Sequence, residues 1–357
     1  SLITSAMKDY NVCIFAYGHT GSGKTHTMLG HGEVDGPNAG LLPRFLREIF
    51  KEHTKLPDMP DVHYSCEFYE VYNETIRDLL APIHVQGRDR KREVRVHPKY
   101  GVRIDGLSTS VVKKTEDILE LVLFGNQMRT IAATTMNAES SRSHAIFTFR
   151  YLIETENEHH ESVMTFVDLA GREDQAASQN KDVQFREMTF INKSLFHLSH
   201  LIAKLSEGSV QKGSLSDFRN SKLTLLLSQA LVGNSCTALI ATIAPPKTYL
   251  EDSISTLNFA QQVKRIKTKP IVNTKKYTEV VRDLEREVSA LRKELSVAKT
   301  SNYEHEQSLM AAMALLKHYK AGRELDEASS ADASQMRRRV SVQLGLMSTN
   351  LGGMNEF

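Results

Sequence analysis

The strand-like run VCIFAY (12–17) passes directly into GHTGSGKT, Gly18 to Thr25. These eight residues satisfy G-x-x-x-x-G-K-[ST] in full, and a helical start follows at once. Strand, glycine-rich loop and helix therefore come in the order that separates a phosphate-binding loop from a chance match. The glycines let backbone N–H groups turn inward around phosphate oxygens, and the helix start adds positive potential. Lys24 brings charge to the β- and γ-phosphates, and the Thr25 hydroxyl suits a Mg²⁺ ligand. A glycine-rich turn without a ligand is the bland alternative, and the order of elements weighs against it.

The rest of the first 270 residues alternates short β-rich runs with helical patterns. The strands are VHYSCEFYEVY (62–72), AIFTFRYLIE (145–154), SVMTFVDL (162–169) and TALIATIA (237–244). Helical stretches between and after them include LLPRFLREIFKEH (41–53), TEDILELVLFGNQM (115–128), FINKSLFHLSHLIAKL (190–205) and LEDSISTLNFAQQVKRIK (250–267). Near-continuous apolar runs such as ALIATIA read as strands buried on both faces. The expected fold is therefore α/β of the P-loop NTPase kind, a central, mostly parallel sheet flanked by helices. Residues 83–97 read as a solvent-facing hairpin or loop.

Composition excludes several partner classes. Net charge is only +2, so bulk charge gives no case for nucleic-acid or membrane binding, and a charged partner must meet a local patch. Cys13, Cys66 and Cys236 are widely spaced and read as free thiols in a reducing compartment. No apolar run approaches a membrane span. The chain opens at Ser1 without a signal-peptide pattern, which reads as the start of a fragment.

After the polar connector KTKPIVNTKK (267–276) the pattern changes. Tyr277, Val281, Leu284, Val288, Leu291, Leu295 and Ala298 recur at alternating spacings of four and three. Val281 and Val288 take a positions and Leu284 and Leu291 take d, the choice that favours a two-stranded parallel coiled coil; Asn302 falls at the next a. A single amphipathic helix packing back on the globular part is the alternative. Residues 321–357 are rich in Ser, Ala, Met and Gly and read as a disordered tail. RRRVS (337–341) in that tail offers Ser341 to a basophilic kinase, or arises by chance.

Two further motifs concern phosphate chemistry. Asp168 ends an apolar strand and begins DLAG (168–171), a D-x-x-G turn suited to a metal and a phosphate. NAESSRSH (137–144) gathers hydroxyls around one arginine before a strand. As a bland block it is a turn or cap; as a switch loop it has the groups a γ-phosphate and its Mg²⁺ require. Guanine recognition by N-K-x-D is absent, which favours ATP.

GHTGSGKTHTM, NAESSRSHAIF, DLAG-x-E, FINKSL, FRNSKLT and GNS, in this order over residues 1 to 273, resemble the nucleotide and track-facing elements of kinesin motor domains. GNQMRTIAATTMNAESSRSHAIF is similar to the vesicle-transport subfamily and STLNFAQ to a mitotic one, so the subfamily stays open. The resemblance implies Mg²⁺-ATP hydrolysis coupled to movement on microtubules, plus-end directed, in the cytoplasm on the cytoskeleton. It implies that Gly18, His19, Thr20, Gly21, Ser22, Gly23, Lys24 and Thr25 bind the phosphates, with His26 against adenine. Thr25 and Ser141 would ligate Mg²⁺, with Asp168 behind a water. Ser140 would approach the γ-phosphate, the Gly171 N–H would sense it, and Arg142 would close the switches by pairing with Glu173. Arg219 and Lys222 would meet acidic tubulin, and HPKYG (97–101) would contact β-tubulin.

The implied organisation is a motor domain over 1–265, a neck linker over 266–276 and a helical neck or coiled coil over 277–320, with a homodimer formed through 277–298. Three departures stand out. The family carries additional N-terminal strands, one with Arg-x-Arg-Pro at the adenine, so the strand over 238–244 is expected at the sheet edge. Leu215, Asp217, Asn220 and Leu225 stand where the family has other residues on the track side, which points to altered tubulin affinity. Arg172 and Asp174 flank Glu173, and Arg172 would compete with Arg142 for it. A tubulin-binding or scaffold protein with impaired ATPase is the competing reading.

Overall fold

The computed structural model describes residues 1–31, 36–55, 62–81, 92–97, 101–135, 142–155, 158–171, 182–210 and 215–276, with 282, 285–286, 288–290, 313 and 317. Residues 1–153 with 160–273 form one compact unit, and 154–159 with 274–357 form a second.

The first unit is organised around β1 (Val12–Tyr17), whose six residues are all buried. Side chains alternate across a strand, and here the two sets enter two different cores. Val12, Ile14 and Ala16 join Leu42, Phe45, Leu46 and Ile49 of α3 (Leu41–His53). Cys13, Phe15 and Tyr17 join Leu195, Leu198 and Ile202, together with Phe259. Helices therefore cover both faces, and that is why VCIFAY tolerates no polar residue. Burial also pushes the Cys13 thiol up to about 12, which makes it inert as a nucleophile.

The remaining strands are β2 (Val62–Tyr72), β3 (Thr75–Asp78), β4 (Val94–His97), β5 (Gly101–Ile104), β6 (Ser110–Val112), β7 (His144–Glu154), β8 (Glu158–Asp168) and β9 (Cys236–Ala241). The main sheet runs β3-β2-β7-β8-β1-β9, with β6 also on β2, while β4 and β5 form a separate ribbon. β8 and β9 flank β1 in parallel register, with Val12 opposite Met164 and Cys236. β2 pairs with β3, β6 and β7 antiparallel. The α/β architecture is as expected, but its parallel part is confined to the strands around β1. For β2 and β3 the cause is local: Asn73 and Glu74, both at positive φ, make a two-residue turn that only an antiparallel pair accepts.

β9 departs from its expected burial. Among the described residues only β1 pairs with it, so it lies at the sheet edge as anticipated, and all six of its residues are half-buried, not enclosed on both faces. A continuous apolar run cannot distinguish a covered strand from an edge. Beside it, α8 (Leu250–Arg265) keeps Leu250, Ile254 and Leu257 exposed while Phe259 faces the core.

The other helices are α1 (Leu2–Ala6), α2 (Lys24–Met28), α4 (Thr115–Thr135), α5 (Asp182–Ser206), α6 (Lys222–Leu226) and α7 (Ser228–Val232). α6 begins with a reciprocal capping box between Ser221 and Thr224. Leu225 within it is a core residue, 9% exposed, so its apolar character is explained by packing and it presents no surface to a partner. Among the described residues no helix is long and apolar enough to cross a membrane. In the second unit Lys275–Lys276 (β10) pairs with Glu158 and His159 of β8. The heptad region is described only at 282, 285–286 and 288–290, all helical; the rest of the coiled-coil expectation, the 321–357 tail and Ser341 lie outside the described residues.

Candidate functional site

The C-terminal ends of β1 and β8 lie side by side, Ala16 opposite Asp168, so the glycine-rich loop and the D-x-x-G turn open at the same edge of the sheet. That juxtaposition is what sequence spacing anticipated but lacked the means to show. Gly23, at φ 97, occupies a left-handed conformation that turns the loop into α2. Gly171 is constrained by space: a Cβ there would lie 1.7 Å from Thr20 Oγ1. The two motifs thus touch, and only a hydrogen fits between them.

Lys24 is buried, and its Nζ donates to the Gly18 carbonyl (3.0 Å) and the His19 carbonyl (2.9 Å). Ser22 Oγ donates to the His19 carbonyl (2.7 Å) and lies 2.6 Å from Thr242 Oγ1 beyond β9. The Thr25 hydroxyl donates to Asp168 Oδ2 at 2.6 Å. His19 stacks on Tyr249 with ring centroids 4.4 Å apart, whereas His26 points outward from α2 and is exposed.

Arg129 is the residue that sequence reading missed. From α4 its Nη1 donates to Asp168 Oδ2 at 2.8 Å, and both side chains are nearly fully buried, 3% and 5% exposed. Its Nη2 donates to the Ser143 carbonyl (3.0 Å) and its Nε to Ser143 Oγ (3.4 Å). One guanidinium therefore ties the end of the NAESSRSH block to the D-x-x-G turn. The available signal was the only basic residue in the 21-residue α4.

His144 makes a second tie. Its Nδ1 accepts the Ala170 N–H (3.0 Å), which fixes the tautomer, so Nε2–H donates to Ser194 Oγ on α5 (2.8 Å). Burial first, then the positive charges of Arg129 and Lys24, hold its pKa down at about 3. It stays neutral, as the acceptor role of Nδ1 requires.

A bound nucleotide and Mg²⁺ fit this donor set. Asp168 Oδ1 is buried without a hydrogen-bond partner, an acceptor left for a metal-bound water or a cation. Thr25 supplies a hydroxyl oxygen beside it, and hard oxygen donors are the Mg²⁺ type. Among the described residues no cluster of three or more His, Cys, Asp or Glu could hold a metal by itself, as expected where phosphates and water complete the shell. Ser140, Ser141 and Glu173, with Arg172 and Asp174, lie outside the described residues. Arg142 is half-buried just before β7. Arg219 is exposed in the turn Asp217–Asn220. Lys222 opens α6 with its N–H bonded to Glu74 Oε2 (2.7 Å), and Asp217 is paired with Lys204 (2.7 Å).

The opposite end of β1 carries a cluster of another kind. Asn273, in the connector, donates its backbone N–H and its Nδ2 to the Asp9 carbonyl, both at 2.9 Å. Its Nδ2 also donates to Asn11 Oδ1 (2.9 Å), and its Oδ1 accepts from Asn234 Nδ2 (2.7 Å). Asn234 Oδ1 accepts the Ile271 N–H at 2.5 Å. Ile271 and Asn273, at the end of the first unit, are thereby tied to Asp9, Asn11 and Asn234 within that unit.

The family model of the kinesin motor domain matches residues 1–266. Human kinesin-like protein KIF13A is 39% identical over 306 residues, 83% of this chain and 17% of that protein. Human kinesin-like protein KIF14 is 38% identical over 301 residues, 82% of this chain and 18% of its own length. The chain thus spans less than a fifth of the length of these curated relatives. Among solved structures, a KIF14 dimer in a two-heads-bound state with AMP-PNP, in complex with a microtubule, has a TM-score of 0.68 at 38% identity and 76% coverage of both chains. A fast kinesin has a TM-score of 0.68 at 34% identity, covering 76% of this chain and 75% of the other. With the family model matching from residue 1 to 266 and relatives above the one-third level of identity, the chain belongs to the kinesin motor-domain family.

Proposed function

We propose that this chain binds Mg²⁺-ATP, hydrolyses it and couples the cycle to plus-end-directed movement along microtubules. The observation that carries the reading is the convergence of the phosphate loop and the D-x-x-G turn, with Thr25 and Asp168 in direct contact. Residues 18–25 hold the phosphates, and Lys24 leaves the carbonyls it now caps to meet their charge. Thr25 and Ser141 would hold Mg²⁺, with Asp168 acting through a water. That ion would supply neutralisation of phosphate charge. No protein nucleophile is needed, because phosphoryl transfer rests on positioning and charge stabilisation. Ser140 approaches the γ-phosphate, the Gly171 N–H responds to its presence, and Arg142 with Glu173 closes the switches around the attacking water. His26 lies along the adenine, with the His19–Tyr249 stack as a neighbouring aromatic surface.

Arg219 and Lys222 face acidic tubulin, residues 266–276 act as the neck linker, and 277–298 joins two copies. The decisive measurement is ATP turnover of the full chain with and without microtubules, with cosedimentation in ATP and in AMP-PNP. Microtubule-stimulated turnover and nucleotide-dependent binding are expected. Binding that ignores nucleotide, without turnover, replaces the motor by a scaffold. Gliding of polarity-marked microtubules reads direction, and equilibrium sedimentation reads the dimer.

A further inference from the structure

The carbonyl that accepts two hydrogen bonds from Asn273 belongs to a residue in an uncommon backbone conformation. Asp9 has φ 59, the left-handed region that few residues other than glycine adopt. That conformation aims the Asp9 carbonyl outward, and both of its lone pairs are used by Asn273. The Asp9 side chain is itself held from two strands. His160 on β8 places Nδ1 2.7 Å from Asp9 Oδ2. The buried hydroxyl of Tyr151 on β7 shares its one hydrogen between the Ala6 carbonyl and Asp9 Oδ1, the latter at 3.1 Å. The Asp9 N–H donates to the Ala6 carbonyl at 2.9 Å, closing the turn from α1. Asp9 is 9% exposed, so this carboxylate is a clamped group and not a solvated surface charge.

We infer that Asp9, clamped by His160 and Tyr151, is the positioning residue that sets how firmly the connector over 266–273 is held. The proposal rests on the reading of this connector as the neck linker, and adds which side chains of this chain determine its hold. The reasoning is geometric. A left-handed backbone at a residue with a Cβ is retained only where surroundings over-determine it, and here the two carboxylate contacts add to the backbone bonds of the turn, Asp9 N–H to the Ala6 carbonyl (2.9 Å) and Tyr10 N–H to the Ser5 carbonyl (3.1 Å). Loosening either carboxylate contact lets residue 9 relax toward negative φ, turns its carbonyl away, and removes two of the hydrogen bonds made by Asn273 together. The clamp and the phosphate loop sit at opposite ends of β1, a strand of six residues, so the clamp contains none of the nucleotide-binding side chains.

The test uses the full chain with Cys236→Ser and a spin label at Val272→Cys, an exposed position; Cys13 and Cys66 are buried. His160→Leu and Asp9→Ala, which removes the carboxylate but keeps a Cβ at φ 59, are expected to raise the mobile-to-immobile ratio of the label by about tenfold, the loss of one charge-assisted bond and what depends on it. His160→Asn, which returns a donor near the place of Nδ1, should restore the parent ratio. Thermal unfolding measured alongside separates clamp loss from misfolding, because a purely structural role lowers the melting temperature without moving the ratio. If Asn273→Ala frees the label but Asp9→Ala and His160→Leu do not, the clamp is refuted and the neck-linker reading stands. If Asn273→Ala also leaves the label immobile, both are refuted.

Discussion

The two ends of β1 hold their neighbours by opposite means. At its C-terminal end a contiguous loop is folded on its own carbonyls around Lys24, and buried charges, Arg129 against Asp168, lock the turn beside it. At its N-terminal end neutral amides of Asn11 and Asn234 are gathered from across the chain around Asn273, which itself bonds the Asp9 carbonyl. A charged, desolvated site concentrates energy in few side chains, whereas an amide network spreads it in steps of about 1 kcal/mol. The first suits chemistry on a polyanion; the second suits a segment that must attach and release.

The largest effect should come from Lys24→Ala. Removing the one lysine of the loop should lower ATP turnover by about 10³-fold while leaving the fold intact, checked by phosphate release and circular dichroism. Asn273→Ala, at the other end, should leave basal turnover within about twofold, since each lost amide bond is of order 1 kcal/mol. Equal losses at both ends would break the contrast.

Arg129→Ala should have the largest effect on stability. It leaves Asp168 buried without its cation and should cost about 3–5 kcal/mol, a fall in melting temperature of about 10 °C. Adding Asp168→Asn should recover part of that loss, because the uncompensated charge is gone. If Arg129→Ala melts with the parent protein, the ion pair is not the element that locks this end.

These two predictions differ in how far the sequence could have anticipated them. Lys24 is legible because strand, loop and helix are contiguous and each residue type has one chemical use. Arg129 is not: it lies on an apolar helix 39 positions from its partner, and a lone arginine in such a helix reads as a surface residue. The Asp9 clamp is less legible still, since its members lie up to 151 positions apart and none belongs to a motif. The strand at 236–241 was found but its burial misread, because apolar runs record composition and not what covers them. Leu225 was read as a surface change for the converse reason: a motif comparison locates a residue in a segment, not on a face.

Acid should weaken both ends, through different histidines. His53, hydrogen-bonded to Tyr64 (2.9 Å) and packed on Tyr151, is held down at about 4 by burial; His144 is held at about 3. Both folded values lie below the ordinary 6.5, so the unfolded chain takes up protons first. Their contribution is whole above about pH 6.5 and is lost as pH falls toward those values, about 2 kcal/mol for each at pH 5. Urea midpoints at pH 7 and pH 5 read this directly. His53→Gln should flatten the slope without touching turnover, whereas a pH-independent midpoint would mean that neither imidazole is buried neutral.

The smallest expected effect sharpens the comparison most, because it asks whether the charged end also contains a neutral relay. His144 joins the Ala170 N–H, one residue before Gly171, to Ser194 on α5. Its two nitrogens have fixed roles, so substitutions separate them. Ser194→Ala strands a buried Nε2–H and should cost about 1–2 kcal/mol. His144→Asn keeps an acceptor near Nδ1 for Ala170 and loses the reach to Ser194, so its cost should overlap that of Ser194→Ala. In a double-mutant cycle the two should couple by about 1 kcal/mol. Additive costs would mean that the D-x-x-G turn and α5 are held separately. Coupling would mean that a shift of Gly171 is felt on α5 through one imidazole, with no change in charge, which leaves Arg129 and Asp168 to fix the turn and His144 to report its position.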